Sequence, residues 1–280
     1  MITNTKEMLQ HAFQNKYAIA QFNINNLEWT RFILEKCNEL NKPVILGVSE
    51  GAIKYIGGYN VVVSLIKSLI IDLDIKIPVA IHLDHGSSIE SCEKAIKAGF
   101  TSVMIDASKY DLKTNIEMTK KVVELAHQNN VTVEAEIGRV GGVEDNITDE
   151  VYYANTEDAT KLVKQTNIDS LAPALGSVHG LYKGEPRLDF NKMEEIKEKV
   201  NIPLVLHGGT GIDEEKIKKA ISCGISKINI NTELQIVWSN SVRKFMKENP
   251  DVYDPRKIIK SGEDAIKKVI EQKLHILDNQ

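Results

Sequence analysis

The sequence predicts an α/β fold closed as a (β/α)8 TIM barrel. Three observations predict it. Eight short apolar runs alternate with longer helical stretches, no Gly-x-Gly-x-x-Gly follows the first run, and each run delivers a polar residue at its C-terminal end. Strict alternation implies parallel strands, because each return needs a crossover helix. Eight repeats permit closure, and without a dinucleotide-binding turn an open doubly wound sheet is disfavoured. A length of 280 residues would suggest two domains, but barrels of ~250 residues are a standard exception. Residues 1–280 are read as one barrel domain.

The first four strands are expected at Ala18–Asn23, Val44–Val48, Val79–Leu83 and Ser102–Ile105. The last four are expected at Thr132–Glu136, Ser170–Leu175, Leu204–Leu206 and Lys227–Ile230. Each is short, apolar and bounded by turn chemistry. Helical stretches lie between them, among them Leu27–Leu40, Ser88–Ala98, Leu112–His127, Glu157–Gln165 and Asp213–Ser222. Asp213 suits an N-cap, and Gly99 and Gly224 suit C-terminal stops. Pro43, Pro78 and Pro203 stand before or at the start of strands, where a missing N–H is tolerated. The chain from Thr232 onward reads as helical, punctuated by Pro250 and Pro255. Gly138–Asp145, with its paired glycines, reads either as a mobile segment whose closure would bring Glu144 to the site or as a plain surface loop.

Composition removes several function classes. The chain is 42% hydrophobic and 26% charged, with a formal net charge of −4. A general nucleic-acid binder would be basic, so no nucleic-acid partner is expected. Cys37, Cys92 and Cys223 are odd in number and far apart, which excludes a disulfide framework and a Cys-x-x-Cys zinc knuckle. Reduced thiols fit a cytoplasmic protein. The N-terminus lacks a basic segment followed by an apolar one. The longest apolar run, Val61–Ile71, is interrupted by Ser64, Lys67 and Ser68 and is too short to span a bilayer.

The chemistry lies where the polar residues fall. The strand ends carry Asn23, then Ser49-Glu50, then Asp84-His85-Gly86, then Asp106. The fifth strand holds Glu134 and Glu136, and the sixth leads to His179-Gly180. The seventh ends in His207-Gly208-Gly209-Thr210-Gly211, and the eighth in Asn229-Ile230-Asn231-Thr232. In a barrel all eight ends meet on one face, where active sites of this fold are built. Exposed loops account for one or two polar strand ends. They account poorly for three histidines, several carboxylates and a glycine-rich turn arriving together.

Three of the seven histidines, His85, His179 and His207, sit at three strand ends. Three imidazoles with an open fourth position suit a catalytic zinc ion. His82 is deeper in its strand and is assigned a packing role, while His11, His127 and His275 read as surface. Asp84 and His85 are adjacent, so both reach the pocket only if the pleat breaks, which is expected at Gly86. Glu134 and Glu136 share a face and point inward, where unpaired carboxylates are costly. A metal cation or a salt bridge to lysine would offset that cost. The turns after strands seven and eight suit phosphate, through backbone N–H groups. The lysines near strand ends, Lys109 and Lys183, lie in loops. That disfavours a Schiff-base lysine, and Lys183 suits a phosphate contact.

The segments QFNINN, GVSEGA, IHLDHGSS, GFTSVMIDAS, VEAEIGRVGG, LAPALGSVHGLYKG, LVLHGGTGI and KININTE together resemble the class II, metal-dependent fructose-bisphosphate aldolases over essentially the whole chain. The resemblance implies a zinc-dependent lyase that reversibly cleaves fructose 1,6-bisphosphate into dihydroxyacetone phosphate and glyceraldehyde 3-phosphate, a step of glycolysis and gluconeogenesis. It implies His85, His179 and His207 as zinc ligands, with Asp106 and Glu136 at a second divalent metal position. Asp84 matches the acid/base at the C4 hydroxyl, and Glu144 the group that moves the C1 proton of dihydroxyacetone phosphate. Asn23, Ser49, Gly180, Lys183, Gly208, Gly209, Thr210, Asn229, Ile230, Asn231 and Thr232 match substrate contacts. Arg256 matches an arginine that grips the far phosphate. The resemblance also implies a monovalent cation and a homodimer or homotetramer. Two alternatives stand beside it: a tagatose-1,6-bisphosphate aldolase and a non-catalytic sugar-phosphate binding protein. Gly209-Thr210-Gly211 and Asn231 follow the fructose pattern.

Overall fold

The computed structural model describes residues 1–144, 147–149, 153–180, 182 and 184–278, with the backbone alone for 142–144 and 147–149. A helix α1 (Lys6–Asn15) precedes β1 (Ile19–Asn23), α2 (Leu27–Glu39) and β2 (Val44–Ser49). Two helices follow, α3 (Glu50–Ile56) and α4 (Tyr59–Asp72), then β3 (Val79–Gly86), α5 (Ile89–Ala98), β4 (Ser102–Ile105), α6 (Leu112–Gln128) and β5 (Thr132–Ile137). Next come β6 (Gly141–Glu144), β7 (Ile147–Asp149), α7 (Thr156–Thr166), β8 (Ser170–Pro173), β9 (Val178–His179) and α8 (Phe190–Val200). The chain ends with β10 (Leu204–Leu206), α9 (Glu214–Ser222), β11 (Ile225–Ile230), α10 (Thr232–Glu248), α11 (Pro255–Lys260) and α12 (Glu263–Asp278).

Eight parallel strands close in the order β1-β2-β3-β4-β5-β8-β10-β11, with β11 pairing back to β1. Their two-residue period separates two environments. On β1, Ala20 and Phe22 join the main core under the helices, while Ile19 faces inward with Ile45 and Ala80. Met8, Leu9 and Ala12 of α1 pack on those three, so α1 plugs the N-terminal mouth of the barrel. The apolar stretch 61–71 is α4, which buries Val62, Val63 and Ile66 against the main core. Among the described residues no single helix is long and apolar enough to cross a membrane.

Strand-to-helix turns end on side chains that accept the first free helical N–H groups. Asn26 caps α2, Ser88 caps α5, Asp111 caps α6, Asn155 caps α7, Asp189 caps α8 and Asp213 caps α9. Each such cap contributes about 1 kcal/mol.

The structure differs from the sequence expectation in several places, among them β3, which runs on to Gly86, three residues past Leu83. The sixth barrel strand stops at Pro173, and the eighth begins at Ile225. The segment expected as a loop at 138–145 contains a strand over Gly141–Glu144, and Asp145 lies outside the described residues. β6 pairs antiparallel with β7 and parallel with β9, forming a three-stranded sheet outside the barrel.

Candidate active site

The pleat breaks at the end of β3, as the adjacency of Asp84 and His85 required, but at His85 rather than Gly86. His85 holds φ 51°. Leu83 pairs with Val103 and Gly86 with Ile105, so two β3 residues oppose the single Met104. This bulge re-aims the side chains at the rim. Gly86 serves a different need, close approach. A Cβ there would lie 2.6 Å from the Met104 carbonyl oxygen and 2.9 Å from Cys92 Sγ.

The three imidazoles converge. Ring centroids are 4.7 Å apart for His85–His207, 5.0 Å for His85–His179 and 5.7 Å for His179–His207. One nitrogen from each ring lies within 4.8 Å of the others. His85 Nε2 stands 2.9 Å from His207 Nδ1. Burial, reinforced by the neighbouring rings, holds His179 well below the ordinary histidine range. Burial also lowers His207, against the opposing pull of Glu134. A neutral imidazole offers a lone pair, so both shifts favour a metal ligand.

The carboxylates divide by partner. Asp106 Oδ2 accepts from His85 Nδ1 at 2.9 Å, and Asp106 Oδ1 from the Ser108 N–H at 3.1 Å. Burial would raise Asp106, but these bonds and the His85 ring outweigh it and hold it low. Asp84 is buried and accepts from two amides, Asn23 at 2.7 Å and Asn229 at 3.4 Å. Burial would raise its carboxyl too, but His85, His207 and Lys227 hold it below the ordinary range. Ser49 is the register partner of Asp84, and its hydroxyl caps α3.

Glu134 and Glu136 both face inward and meet different fates. Glu134 binds Lys227 Nζ at 2.8 Å and His207 Nε2 at 2.9 Å. It is held low, because Lys227 and His207 outweigh its burial. Glu136 receives the Val140 N–H on one oxygen, while its buried Oε2 has no hydrogen-bond partner. Burial and the nearby Asp106 charge raise its carboxyl well above the usual range.

Sequence reasoning missed Lys227, which is 0% exposed. The signal was present: Lys227 alternates with Asn229 along β11 and therefore shares its inward face. Its ammonium pairs with Glu134 Oε2. His82 takes the packing role expected of it, bonded to Ser102 at 2.8 Å and lowered to about 3 by burial and by Lys227.

The exits of β10 and β11 lie side by side. Gly208 and Gly211 have φ +69° and +77°. The Gly209 N–H bonds the Asn229 carbonyl at 3.0 Å, and the Glu233 N–H bonds Thr210 Oγ1 at 3.3 Å. Asn231 is the N-cap residue of α10, its Oδ1 buried without a partner, and Thr232 opens the helix. Ile230 packs its side chain into the helix-covered core, so only its backbone faces the site. Gly180 follows His179 with φ +85°.

Three expected residues do not join this cluster within the described atoms. Arg256 is on α11, its side chain 89% exposed and paired with Asp254 at 2.9 Å. Lys183 lies outside the described residues. Glu144 ends β6, and its side chain lies outside the description.

Comparison with known proteins converges on one family. Residues 3–280 match the family described as fructose-bisphosphate aldolase class-II. The chain belongs to this family. It is 58% identical over 270 residues to a fructose-bisphosphate aldolase of Geobacillus stearothermophilus, covering 96% of this chain and 94% of the relative. It is 55% identical over 274 residues to one of Staphylococcus epidermidis, covering 98% and 96%. Among solved structures, the YdjI aldolase of Escherichia coli K12 superposes with a TM-score of 0.85 at 32% identity, covering 100% of this chain and 98% of that one. A fructose-bisphosphate aldolase of Campylobacter jejuni gives 0.81 at 25% identity, covering 99% and 96%.

The class II family is metal-dependent, and the residues here fit a divalent ion. The fit rests on two observations: the converging imidazole nitrogens, and the partnerless Glu136 Oε2 beside them, 4.0 Å from His207 Nδ1. A second donor set, His85, Asp106 and Glu136, adjoins the first and shares His85.

Proposed function

We propose that this chain is a zinc-dependent aldolase that reversibly cleaves fructose 1,6-bisphosphate into dihydroxyacetone phosphate and glyceraldehyde 3-phosphate. The carrying observation is the convergence of His85, His179 and His207 beside a buried, doubly hydrogen-bonded Asp84. In this reading the three histidines hold zinc, and Asp106 and Glu136 serve a second divalent ion. Bound there, zinc supplies a Lewis acid for the negative charge that develops on the C2 oxygen as C3–C4 breaks.

The protein's own groups handle the protons. Asp84 accepts the C4 hydroxyl proton as that oxygen becomes the aldehyde. The electron pair of the broken bond passes into the ketose half, which takes up a proton at carbon from Glu144. Asn23 and Asn229 orient Asp84 through its two oxygens. Ser49 and Gly180 contact the substrate. The Gly208–Thr210 and Asn229–Thr232 backbones, with Lys183, bind one phosphate, and Arg256 grips the other. A monovalent cation beside the phosphate, a homodimer or homotetramer and a cytoplasmic location complete the reading.

The test is cleavage of fructose 1,6-bisphosphate with and without a strong chelator. Activity should vanish on chelation and return with zinc. Borohydride added with substrate should leave the enzyme active. Covalent trapping of a lysine, Lys227 included, would overturn the metal mechanism.

A further inference from the structure

We propose that Tyr182 is a positioning residue that sets the spacing between His179 and His207, and with it how tightly the centre holds its ion. The inference rests on the reading of these histidines as zinc ligands. Tyr182 Oη accepts the Val178 N–H at 3.2 Å and donates to the Gly208 carbonyl at 3.1 Å. Val178 immediately precedes His179, and Gly208 immediately follows His207. One hydroxyl thus joins the backbones on which two of the three imidazoles stand.

The two histidines need such a tie because they belong to different sheets. His207 directly follows β10, inside the barrel ladder. His179 lies on β9, a two-residue strand that pairs with β6 outside the barrel. Barrel hydrogen bonding therefore does not fix where His179 sits relative to His207. The segments also press together directly. A Cβ on Gly208 would lie 2.1 Å from the Val178 carbonyl oxygen, so the glycine permits an approach that the hydroxyl then holds in register. The Tyr182 ring is half-buried against the main core, and its Cδ2 lies 3.9 Å from where a Cβ on Gly211 would stand. Burial raises the phenol, which keeps the proton it donates to Gly208. Because Gly142 pairs with His179, the same tie reaches the β6–β7 hairpin at whose edge Glu144 stands.

The test uses the zinc-loaded full chain and reads the zinc dissociation constant, by competition with a colorimetric chelator and no substrate present. Tyr182→Phe keeps the ring and removes both hydrogen bonds. Its zinc affinity should fall by about tenfold, the lower end for partners that orient metal ligands. The metal-free melting temperature should stay close to wild type. A second arm places 3-fluorotyrosine at 182, which retains the hydroxyl, and should match the wild-type affinity. Wild-type affinity in Tyr182→Phe, with or without a lowered melting temperature, overturns the proposal. So does an equal loss with 3-fluorotyrosine. A wild-type chain that holds no zinc removes the reading of the centre and this proposal together, which separates the two failures.

Discussion

His85 Nε2 and His207 Nδ1 face each other at 2.9 Å, and the far nitrogen of each ring meets a carboxylate, Asp106 Oδ2 and Glu134 Oε1, each also at 2.9 Å. A carboxylate only accepts, so it draws the ring proton to the far nitrogen and leaves a lone pair on the near one. Two lone pairs directed at one point repel unless a cation lies between them. The same two carboxylates lock the ring orientations before any ion arrives. The centre is thus organised by groups that need never touch the ion themselves.

This arrangement predicts an effect of Glu134→Gln on zinc. The amide can donate as well as accept, so His207 loses its fixed tautomer. Zinc affinity should fall by roughly 10–100-fold. Competition against a chelator measures it, and unchanged affinity would show that Glu134 serves only Lys227.

Lys227 predicts a stability effect of the opposite kind. Lys227→Met leaves Glu134 buried without its cation, and removing one partner of a buried pair typically costs about 3–5 kcal/mol. The double variant Lys227→Met with Glu134→Leu removes both charges and should recover much of that loss. Denaturant midpoints of the four proteins in the cycle decide it. Zinc affinity should stay low in the double variant, because His207 still lacks its acceptor.

Asp84 stands beside the proposed ligand His85, and both its oxygens are held by amides. Asp84→Ala should retain zinc and fold, yet turn over about 10²–10⁴-fold more slowly, the usual scale for a lost general base. A variant with near-normal turnover takes Asp84 out of the mechanism.

Much of this was legible in the sequence because barrels convert order along the chain into position in space. Once eight strands are recognised, their C-terminal residues must meet, and His85, His207, Asp84 and Glu136 do; His179 reaches them from β9, outside the barrel, six residues past the end of β8. What stayed hidden depends on register and contact rather than order. A break in the pleat follows from the Asp84-His85 adjacency and is expected at Gly86, but its form as a bulge seated at His85 depends on the pairing with β4. Lys227 reads as one more strand residue until its inward neighbours are known. The strands β6, β7 and β9 are only two to four residues long, and β6 pairs with the other two, so no periodicity announces them. Tyr182 gives no sequence signal beyond its nearness to His179, because its partners include a backbone carbonyl 26 residues away.

Gly208 predicts a steric failure. Its φ of +69° disfavours any side chain, by about 1–2 kcal/mol. The added methyl would also meet the Val178 carbonyl oxygen at 2.1 Å. Backbone cannot swing aside as a side chain can, so Gly208→Ala should push β9 from β10 and impair both zinc binding and phosphate recognition. Titration with zinc, and with inorganic phosphate as an inhibitor, reads the two separately. Normal values for both would show that the turn tolerates the shift.

Discrimination between C4 epimers is the most demanding prediction. Fructose and tagatose bisphosphates carry the same two phosphates and the same ketone, so most of their binding energy is shared. Selection must come from the C4 hydroxyl against Asp84. That carboxylate cannot rotate freely, because Asn23 fixes one oxygen at 2.7 Å and Asn229 approaches the other at 3.4 Å. A hydroxyl on the wrong face of C4 cannot be followed by the carboxylate and is left buried without a partner. That costs ~1–3 kcal/mol, or roughly tenfold to a hundredfold in rate. We therefore expect kcat/KM for fructose 1,6-bisphosphate to exceed that for tagatose 1,6-bisphosphate by at least about tenfold, measured with a coupled triose-phosphate assay. Asn23→Ala frees one side of the carboxylate and should narrow the ratio while slowing both substrates. Equal values in the wild type, or a tagatose preference, would overturn the substrate assignment and the rigid-carboxylate argument behind it. The fold and the metal centre would be unaffected.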